Sequence, residues 1–379
     1  MNITTGTILF YLPSFEAGGA ERQALNLAIE LKTRHNYHVV LAAQYKGGPI
    51  EIEALRYDIT CIEIPFDFYY FNFYKISGFS ISKFKAHLKF KAIKNNYLTI
   101  VKQVKPDFIF SYCYEPNVIA SYFSNDYKNC KVIWNQRDTG IPPFTKCKIE
   151  QIAINNAFKI VGNSASSLNY VLQYYNESKK SSIIANGIQI NLNTINKKTK
   201  KTFNFEDTDI VIGVVANYAP KKNHSTLIKS YALLNNKNIK LFFIGRFSES
   251  DKLVCQQNLI NQSITFHYEN ENISNAIHIC DIIVHPSLSE GMPNAILEAM
   301  AFEVPLIASD IEPHIEVLGK DYPLFFSSTN EVELAETINK ILNNNEFAQT
   351  CVLNNKAIVT KSYTMDGLAQ KYLNIINSK

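Results

Sequence analysis

Two carboxylates stand eight positions apart in the stretch SLSEGMPNAILEAMA, residues 287–301: Glu290 and Glu298. Pro293 suits the first position of a helix, because its missing N–H has no helical partner there. A helix over about 293–301 would place Glu290 in the turn before it and Glu298 in its second turn. Charged residues of this kind are usually solvated on a surface helix, so the alternative, that both grip one ligand, needs further support.

The apolar run that precedes this turn supplies that support. DIIVHP, residues 281–286, is typical of a buried strand. The turn with Glu290 then lies at the carboxyl end of a strand, where open α/β sheets bind ligands. The first amides of the helix would present the positive end of its dipole to an anion. The candidate ligand-binding residues of the turn and the helix start are Gly291, Met292, Asn294 and Ala295.

The elements that must position these residues follow one pattern along the chain. Short apolar runs alternate with longer periodic segments, which predicts parallel sheets with helical crossovers. A polar stretch rich in Asn, Lys and Thr, residues 191–209, interrupts the alternation and indicates a linker. We therefore predict two doubly wound α/β domains, at 1–190 and 210–364. The helical segment 365–379 is expected to pack back on the first domain.

The composition limits the class of protein. With 379 residues, 46% of them hydrophobic and 19% charged, the chain suits two globular domains. A net charge of +4 gives no reason to expect nucleic acid as a partner. The seven cysteines are odd in number and show no CxxC spacing, which favours a reducing compartment. The N-terminus does not resemble a signal peptide, and no apolar run is long enough to span a membrane. We expect a cytoplasmic protein.

EGMPNAILEAMA resembles the E-x7-E signature of retaining family-4 glycosyltransferases of GT-B fold. Three further segments are similar to that family and stand in its order: FEAGGAERQALNLA (15–28), IIANGI (183–188) and VANYAPKKNHSTLIKSYALL (215–234). The resemblance implies two Rossmann-like domains facing an interdomain cleft. It implies transfer of a sugar, with retention, from a nucleotide diphosphate sugar, expected to be a UDP-sugar. The implied acceptor is a hydroxyl in polysaccharide or lipid-linked glycan synthesis. No metal or other cofactor is expected.

The resemblance also assigns roles to single residues. Glu298 takes the position of the carboxylate that binds the ribose hydroxyls, and Glu290 that of the carboxylate near the reacting carbon of the donor sugar. Lys222 matches the lysine that binds the diphosphate. Gly18 and Gly19 match a glycine-rich loop whose amides approach the diphosphate or the sugars. Glu290 and Lys222 are thus the candidate catalytic residues.

One position departs from the family pattern. Relatives carry an arginine five residues before the lysine, whereas this chain has Asn217, an amide that brings no charge. Lys221, Arg246 and Arg137 are candidates to supply the missing charge, and Arg246 and Arg137 are also candidates to contact the acceptor. For Arg137, an ion pair with Asp138 or another neighbour is an equally good interpretation.

The sequence contains little that suggests a metal site. Asp207 and Asp209 form a D-x-D triplet, but they end the predicted linker, where a solvated turn is the better interpretation. The histidines near the second-domain motifs lack metal-ligand spacing, and His285 is expected to pack at the end of a strand.

The segment 68–106 has eight lysines, no acidic residue and many interleaved aromatic residues. Ile81, Phe84 and Leu88 fall on one helical stripe with lysines around it. This pattern favours peripheral contact with an anionic membrane, at the inner face where lipid-linked acceptors would lie. A core stripe with a solvated lysine face is the structural alternative. Single-stranded nucleic acid could bind the same pattern, but the rest of the chain gives no support for it.

Two other functions remain compatible with the same architecture, because a fold does not fix a function. The chain could be a sugar-nucleotide epimerase or a phosphorylase, and an epimerase would alter the donor without any acceptor. It could also be a sugar-nucleotide-binding subunit without activity, which the neutral Asn217 would suit.

Overall fold

We analysed a computed structural model of the chain. The structure describes residues 5–66, 81–139, 144, 146–189, 199–234, 236–257, 259, 264–268 and 273–378, with the backbone alone for 81–87. The contacts between Cα atoms divide the chain into two compact units. The first consists of residues 1–186 and 365–379, and the second of residues 187–364.

The first unit alternates strands with helices from its start. Its elements up to residue 183 are β1 (Thr7–Tyr11), α1 (Gly19–His35), β2 (His38–Ala43), α2 (Pro49–Arg56), β3 (Thr60–Glu63), α3 (Ile81–Val104), β4 (Phe108–Tyr112), α4 (Tyr114–Phe123), β5 (Lys131–Gln136), α5 (Lys148–Asn156), β6 (Lys159–Gly162), α6 (Ala165–Leu172) and β7 (Ser181–Ile183).

The second unit repeats the alternation. Its elements are β8 (Ile210–Val215), α7 (His224–Leu233), β9 (Ile239–Ile244), α8 (Glu249–Gln256), β10 (Ile264–His267), α9 (Ile273–His278), β11 (Ile282–His285), α10 (Asn294–Ala301), β12 (Leu306–Ser309), α11 (Glu312–Leu318), β13 (Phe325–Phe326), α12 (Glu331–Asn343) and α13 (Asn345–Ser362). The last helix, α14 (Met365–Asn377), belongs to the first unit.

Both sheets are parallel. The first has seven strands in the order β3-β2-β1-β4-β5-β6-β7, and the second has six in the order β10-β9-β8-β11-β12-β13. In each sheet the chain first builds outward on one side of its opening strand and then returns to build on the other side. The turning points lie between β1 and β4 and between β8 and β11, and such points are where doubly wound sheets bind ligands. The predicted α/β class with doubly wound parallel sheets is confirmed.

The C-terminal helix α14 completes the core of the first unit. Met365, Leu368, Ala369 and Tyr372 are buried in the same cluster as strand residues such as Phe110. The rings of Phe110 and Tyr372 lie with centroids 5.1 Å apart. Burial of several apolar side chains at about 1.5–3 kcal/mol each is enough to hold a single helix in place.

The predicted linker needs a correction over its second half. Residues 199–209 lie within the second unit, where Lys200–Phe203 form a turn of 3-10 helix. Phe203 and Phe205 are buried, with ring centroids 5.3 and 5.2 Å from that of Phe242 on β9. Two aromatic side chains in a polar run therefore anchor the segment to the sheet. Residues 190–198 lie outside the described part of the chain.

The basic aromatic segment is described only in part. Residues 67–80 and the side chains of residues 81–87 lie outside the described part, and these include Ile81 and Phe84 of the predicted stripe. Farther along α3, Ile93, Tyr97 and Val101 form the buried face, whereas Leu88 is half exposed. Among the described residues, no helix combines the length and the apolar character that crossing a bilayer requires.

Candidate functional site

Lys222 and Glu290 meet at the turning point of the second sheet. Lys222 follows β8 and Glu290 follows β11, and these two strands are neighbours. The Lys222 Nζ lies 2.5 Å from the Glu290 Oε1. Residues 68 positions apart in sequence thus form one charged pair at the carboxyl edge of the sheet.

The backbone around the pair is locked by hydrogen bonds between loops. Asn223 has the left-handed conformation, with φ 54° and ψ 40°, which asparagine tolerates better than most residues. Its side-chain amide donates to the carbonyl oxygens of Pro286, at 3.1 Å, and Ser328, at 2.7 Å. The Leu288 N–H donates to the Lys221 carbonyl at 2.8 Å. The loops after β8, β11 and β13 are therefore fixed to one another around Lys222 and Glu290.

Glu290 is buried but charged. It is 8% exposed, and its Oε1 also accepts hydrogen bonds from Ser287 Oγ at 2.7 Å and His285 Nε2 at 3.2 Å. Burial by itself would raise the pKa of the Glu290 carboxyl. The hydrogen bond from His285 and the positive charge of Lys222 outweigh burial and hold that pKa well below its ordinary range. The site thus keeps an ionised carboxylate at neutral pH.

A second histidine, His314, lies behind His285. The two ring centroids are 5.0 Å apart with the planes at 63°. His314 Nδ1 lies 2.8 Å from the Ser309 carbonyl oxygen, which makes Nδ1 the protonated nitrogen. Burial and the neighbouring His285 lower the pKa of His314 to about 3. His314 is consequently neutral in the folded protein at any pH near neutrality.

The low pKa of His314 predicts a pH dependence of stability. The unfolded chain takes up a proton on this residue near pH 6.5, whereas the folded chain does so only near a pKa of about 3. The contribution of a neutral His314 to the free energy of unfolding is therefore complete above about pH 6.5. It falls as the pH drops, with a slope that approaches about 1.4 kcal/mol per pH unit.

His314→Gln removes this titration and leaves the other groups in place. Urea unfolding of both chains between about pH 7 and about pH 5 should show the stability of wild type, relative to the variant, declining toward the acid end. A difference that stays constant with pH would show that His314 is protonated in the folded state as readily as in the unfolded one.

Helix α10 begins beside the pair, one residue later than predicted. Pro293 has extended backbone angles, φ −80° and ψ 116°, so it caps the helix and Asn294 is the first helical residue. Gly291, Met292 and Ala295 are buried around the turn, and Asn294 is half-buried. Glu298 is also half-buried, one turn into the helix and on the same face as Asn294. The helix start and both carboxylates therefore belong to one region of the second unit.

Asn217 has a structural contact that the sequence does not indicate. Its Oδ1 accepts a hydrogen bond from the Arg246 N–H at 2.9 Å, which ties the loop after β8 to the loop after β9. Gly245 makes this approach possible, because a Cβ there would lie 2.1 Å from the Ala216 carbonyl oxygen. The Arg246 side chain is exposed and donates to the Tyr268 hydroxyl at 3.0 Å. The structure thus does not place either side chain on the Lys222–Glu290 pair.

The glycine pair of the first unit follows β1. Gly18 caps α1 in an extended conformation, and Gly19 is the first helical residue. A Cβ on Gly18 would lie 2.1 Å from the Glu21 Oε2, so any larger residue there would displace this carboxyl. Burial raises the pKa of Glu21 to about 7, since its own helix-start hydrogen bond offsets burial only in part. Glu21 therefore acts at the beginning of its own helix.

Arg137 is held inside the first unit. Its guanidinium donates to Asn186 Oδ1 at 2.9 Å, to Asn135 Oδ1 at 3.2 Å and to the Tyr372 hydroxyl at 2.7 Å. It also lies 4.8 Å from the centre of the Tyr112 ring. These contacts connect β5, the segment after β7 that contains Asn186, and helix α14. They give Arg137 a structural role whether or not it also contacts a ligand.

Among the described residues, one group brings three potential metal ligands together: Glu30, His35 and Asp366, with ligand atoms within 4.8 Å of one another. It lies in the first unit, between the end of α1 and the start of α14, and not at the turning point of that unit's sheet. Glu30 Oε1 is also 3.4 Å from Arg34 there, so a cation already neutralises part of its charge. In the D-x-D triplet, Asp207 pairs with Lys201 and Asp209 accepts from the Glu206 N–H.

Known proteins resemble the chain in sequence. Residues 195–357, less than half of the chain, match the family model described as glycosyl transferases group 1. The N-acetylgalactosamine-N,N'-diacetylbacillosaminyl-diphospho-undecaprenol 4-alpha-N-acetylgalactosaminyltransferase of Campylobacter jejuni is 24% identical over 346 residues, 88% of this chain and 89% of that protein. The capsular polysaccharide biosynthesis glycosyltransferase CapM of Staphylococcus aureus is 25% identical over 245 residues, 59% of this chain and 63% of that protein. The chain thus spans less than two thirds of the length of CapM.

Solved structures share the fold over the whole length. Anabaena Alr3699/HepE, solved in complex with UDP-glucose, is 18% identical with a TM-score of 0.81, covering 99% of this chain and 100% of that one. A likeness at this identity concerns the fold alone, and it agrees with the predicted pair of Rossmann-like domains. The prediction of a glycosyltransferase agrees with the family model and with the names of the two relatives.

Proposed function

We propose that the chain is a retaining glycosyltransferase that moves a sugar from a UDP-sugar to a hydroxyl of a glycan or lipid-linked acceptor. The observation that carries this proposal is the pairing of Lys222 Nζ with Glu290 Oε1, 2.5 Å apart, beside the start of α10 at the turning point of the sheet. The place is the one where a doubly wound sheet binds nucleotides. A lysine, a buried carboxylate and a helix start are together suited to a sugar diphosphate.

The donor would be held by groups that each match one of its parts. Lys222 and the amides at the start of α10 would face the diphosphate, where negative charge grows as the sugar leaves. Glu298, one turn into the helix, would accept hydrogen bonds from the ribose hydroxyls. Because Asn217 brings no charge, Lys222 is the side chain on which neutralisation of the diphosphate mainly depends. The reaction as proposed needs no metal ion.

Glu290 would act on the sugar. In the proposed step the bond between the anomeric carbon and the diphosphate oxygen breaks, and a bond to the acceptor oxygen forms on the same face. The acceptor proton passes to the departing diphosphate. An ionised Glu290 near the anomeric carbon would stabilise the positive charge that develops there. Its low pKa suits this role, because the carboxylate stays charged across the neutral range.

The names of the relatives support the substrate classes. The Campylobacter relative is named for transfer to a diphospho-undecaprenol-linked sugar, CapM is named for capsular polysaccharide synthesis, and the Anabaena structure contains UDP-glucose. We extend these classes to the present chain as part of the proposal. An acceptor of this kind would be met at the inner face of the cytoplasmic membrane.

Glu298→Ala should weaken nucleotide binding more than it slows the chemical step. Loss of charge-assisted hydrogen bonds to two hydroxyls should raise the Kd for UDP about tenfold, by roughly 1.5 kcal/mol. Calorimetric titration of UDP into both chains measures this directly. Glu303→Ala, an exchange at the turn after α10 where the carboxylate pairs with Lys356, is the matched control and should leave the Kd unchanged. Equal UDP affinity of wild type and Glu298→Ala would remove Glu298 from the site.

Contact with a membrane is predicted from the basic aromatic segment 68–106. The full chain should sediment with vesicles that contain anionic lipid at low salt and should be released as salt is added, because each lysine near the surface contributes about 1 kcal/mol. Vesicles of neutral lipid are the control. Failure to sediment with anionic vesicles at low salt would end this part of the proposal.

The function itself is tested by a transfer reaction. The chain is incubated with a panel of nucleotide sugars and a synthetic polyprenyl-diphosphate-linked sugar as acceptor, and the product is examined by NMR. We expect a new glycosidic linkage with the anomeric configuration of the donor. Inverted configuration would contradict retention, and an altered sugar nucleotide formed without acceptor would favour an epimerase.

A further inference from the structure

The Glu290 carboxylate is held from one side. Within the described part of the chain, every hydrogen bond to it ends on Oε1, from Lys222 Nζ at 2.5 Å, Ser287 Oγ at 2.7 Å and His285 Nε2 at 3.2 Å. Three donors on one oxygen fix the rotation of the carboxylate as well as its charge. Oε2 is therefore the oxygen that remains for a ligand.

The donors on the protein side are themselves fixed. His285 is the last residue of β11 and is 1% exposed. The Ser309 hydroxyl of β12 donates to the Ser287 carbonyl oxygen at 2.6 Å, and the backbone carbonyl of Ser309 holds His314. A buried network thus runs from β12 and α11 through Ser287 to Glu290. The sequence expectation for His285, packing at a strand end, describes its location but not this contact.

We propose that His285 is a positioning residue, a neutral imidazole protonated on Nε2 that holds Oε1 of Glu290 so that Oε2 faces the donor sugar. The consequence for turnover depends on the proposed function, whereas the hydrogen bond does not. Burial lowers the pKa of His285 most strongly and the Lys222 cation from the loop after β8 lowers it further, whereas the hydrogen bond to Glu290 and the charge of that carboxylate raise it. The net shift is downward, so the ring is neutral at neutral pH. The other titratable neighbours, His314 from α11 and His224 from α7, have pKa values lowered to about 3 and about 4 and are neutral there as well.

A histidine that serves only to fill the core would not need to direct its Nε2 at the Glu290 Oε1. Burial of an imidazole costs free energy unless its nitrogens find partners. Nδ1 of His285 has no hydrogen-bond partner among the described residues, so its burial is compensated through Nε2, which lies 3.2 Å from the Glu290 Oε1 and 3.4 Å from the Ser287 Oγ. A methionine could occupy similar space without this cost. The orientation of Nε2 toward Glu290 is therefore the property to test.

Two substitutions of His285 separate the effect of its hydrogen bond on turnover from the effect of its packing. His285→Met removes the donor at similar volume, while His285→Gln retains an amide donor near the position of Nε2. We expect His285→Met to lower kcat at least tenfold with the donor KM changed less than about twofold, and His285→Gln to recover most of the loss. His278→Met changes histidine to methionine at an exposed position and is the control for the effect of this replacement away from Glu290.

The pH profile gives a readout that a purely structural role would not move. Loss of a hydrogen bond to the carboxylate raises the pKa of Glu290 from its low value, so a loss of kcat at acid pH should begin at higher pH in His285→Met than in wild type or in His285→Gln. Equal losses of kcat in both variants or an unchanged kcat in His285→Met would overturn the inference.

NMR of the full chain labelled with ¹⁵N-histidine tests the hydrogen bond without any substrate. The signals lost in His285→Gln should be those of a neutral ring protonated on Nε2 at neutral pH. A ring protonated on Nδ1, or on both nitrogens, would contradict the inference. If wild type transfers no sugar but shows the Nε2–H form, the proposed function fails and the inferred hydrogen bond stands.

Discussion

Glu290→Gln should lower kcat by about 10²–10³-fold while the KM for the donor changes little. The amide has the size of the carboxylate but no charge, so it loses the stabilisation of positive charge at the reacting carbon, which exists only in the transition state. Electrostatic groups of this kind typically contribute about 3–4 kcal/mol. Steady-state kinetics measures the effect, with the nucleotide sugar that the transfer reaction identifies as the donor.

The amide of Glu290→Gln also pairs less well with Lys222 and His285 than the carboxylate does. The free energy of unfolding must therefore be measured together with the activity. Glu303→Gln, which changes a half-buried glutamate paired with Lys356 at 2.7 Å, is the matched control. It should keep its activity and lose less than about 1 kcal/mol of stability. A Glu290→Gln chain that is folded and turns over at the wild-type rate would exclude Glu290 from the chemistry.

Lys222→Met should have a larger effect on kcat/KM, about 10³-fold or more. The lysine would stabilise the diphosphate both in the bound donor and as the leaving group, so its loss should raise KM and lower kcat together. It also leaves the buried Glu290 without its cation. We therefore expect a loss of about 2–3 kcal/mol in the free energy of unfolding, because Ser287 and His285 still hold the carboxylate.

Lys229→Met on the exposed side of α7 removes the same charge without touching the site and should be close to wild type in both measurements. Kinetics and urea unfolding of the two variants separate a role of Lys222 in the reaction from its role in the stability of the fold. If Lys222→Met unfolds more easily but retains kcat/KM, the lysine is a structural partner of Glu290 and not part of the donor site.

The order of strands could be predicted because each one is a short apolar run. The apolar run IVIGVVA, residues 210–216, contains β8, and DIIVHP contains β11. Their parallel pairing follows from the helices between them. The segment 199–209 was harder to predict. Its polar composition hides Phe203 and Phe205, and only the packing of these rings on Phe242 shows that it belongs to the second unit.

The candidate site also has residues that the sequence could identify and contacts that it could not. Lys222 and Glu290 were singled out through motifs, and the sheet order explains why residues so far apart in sequence meet. The contacts of His285 and Asn217 could not be read from the sequence, because a single histidine or asparagine has no characteristic spacing. In hindsight, His285 and Ser287 stand five and three residues before Glu290, at the end of a strand, which is close enough for both to reach its carboxylate.

Calorimetric titration of UDP into the wild-type chain and into Lys222→Met tests the central claim, a nucleotide diphosphate site beside α10, most directly. The account predicts measurable heat with saturation for wild type and at least a tenfold weaker Kd for the variant, a difference of about 1.4 kcal/mol or more. It would be contradicted by the absence of any binding to wild type, or by equal affinity of the two chains for UDP.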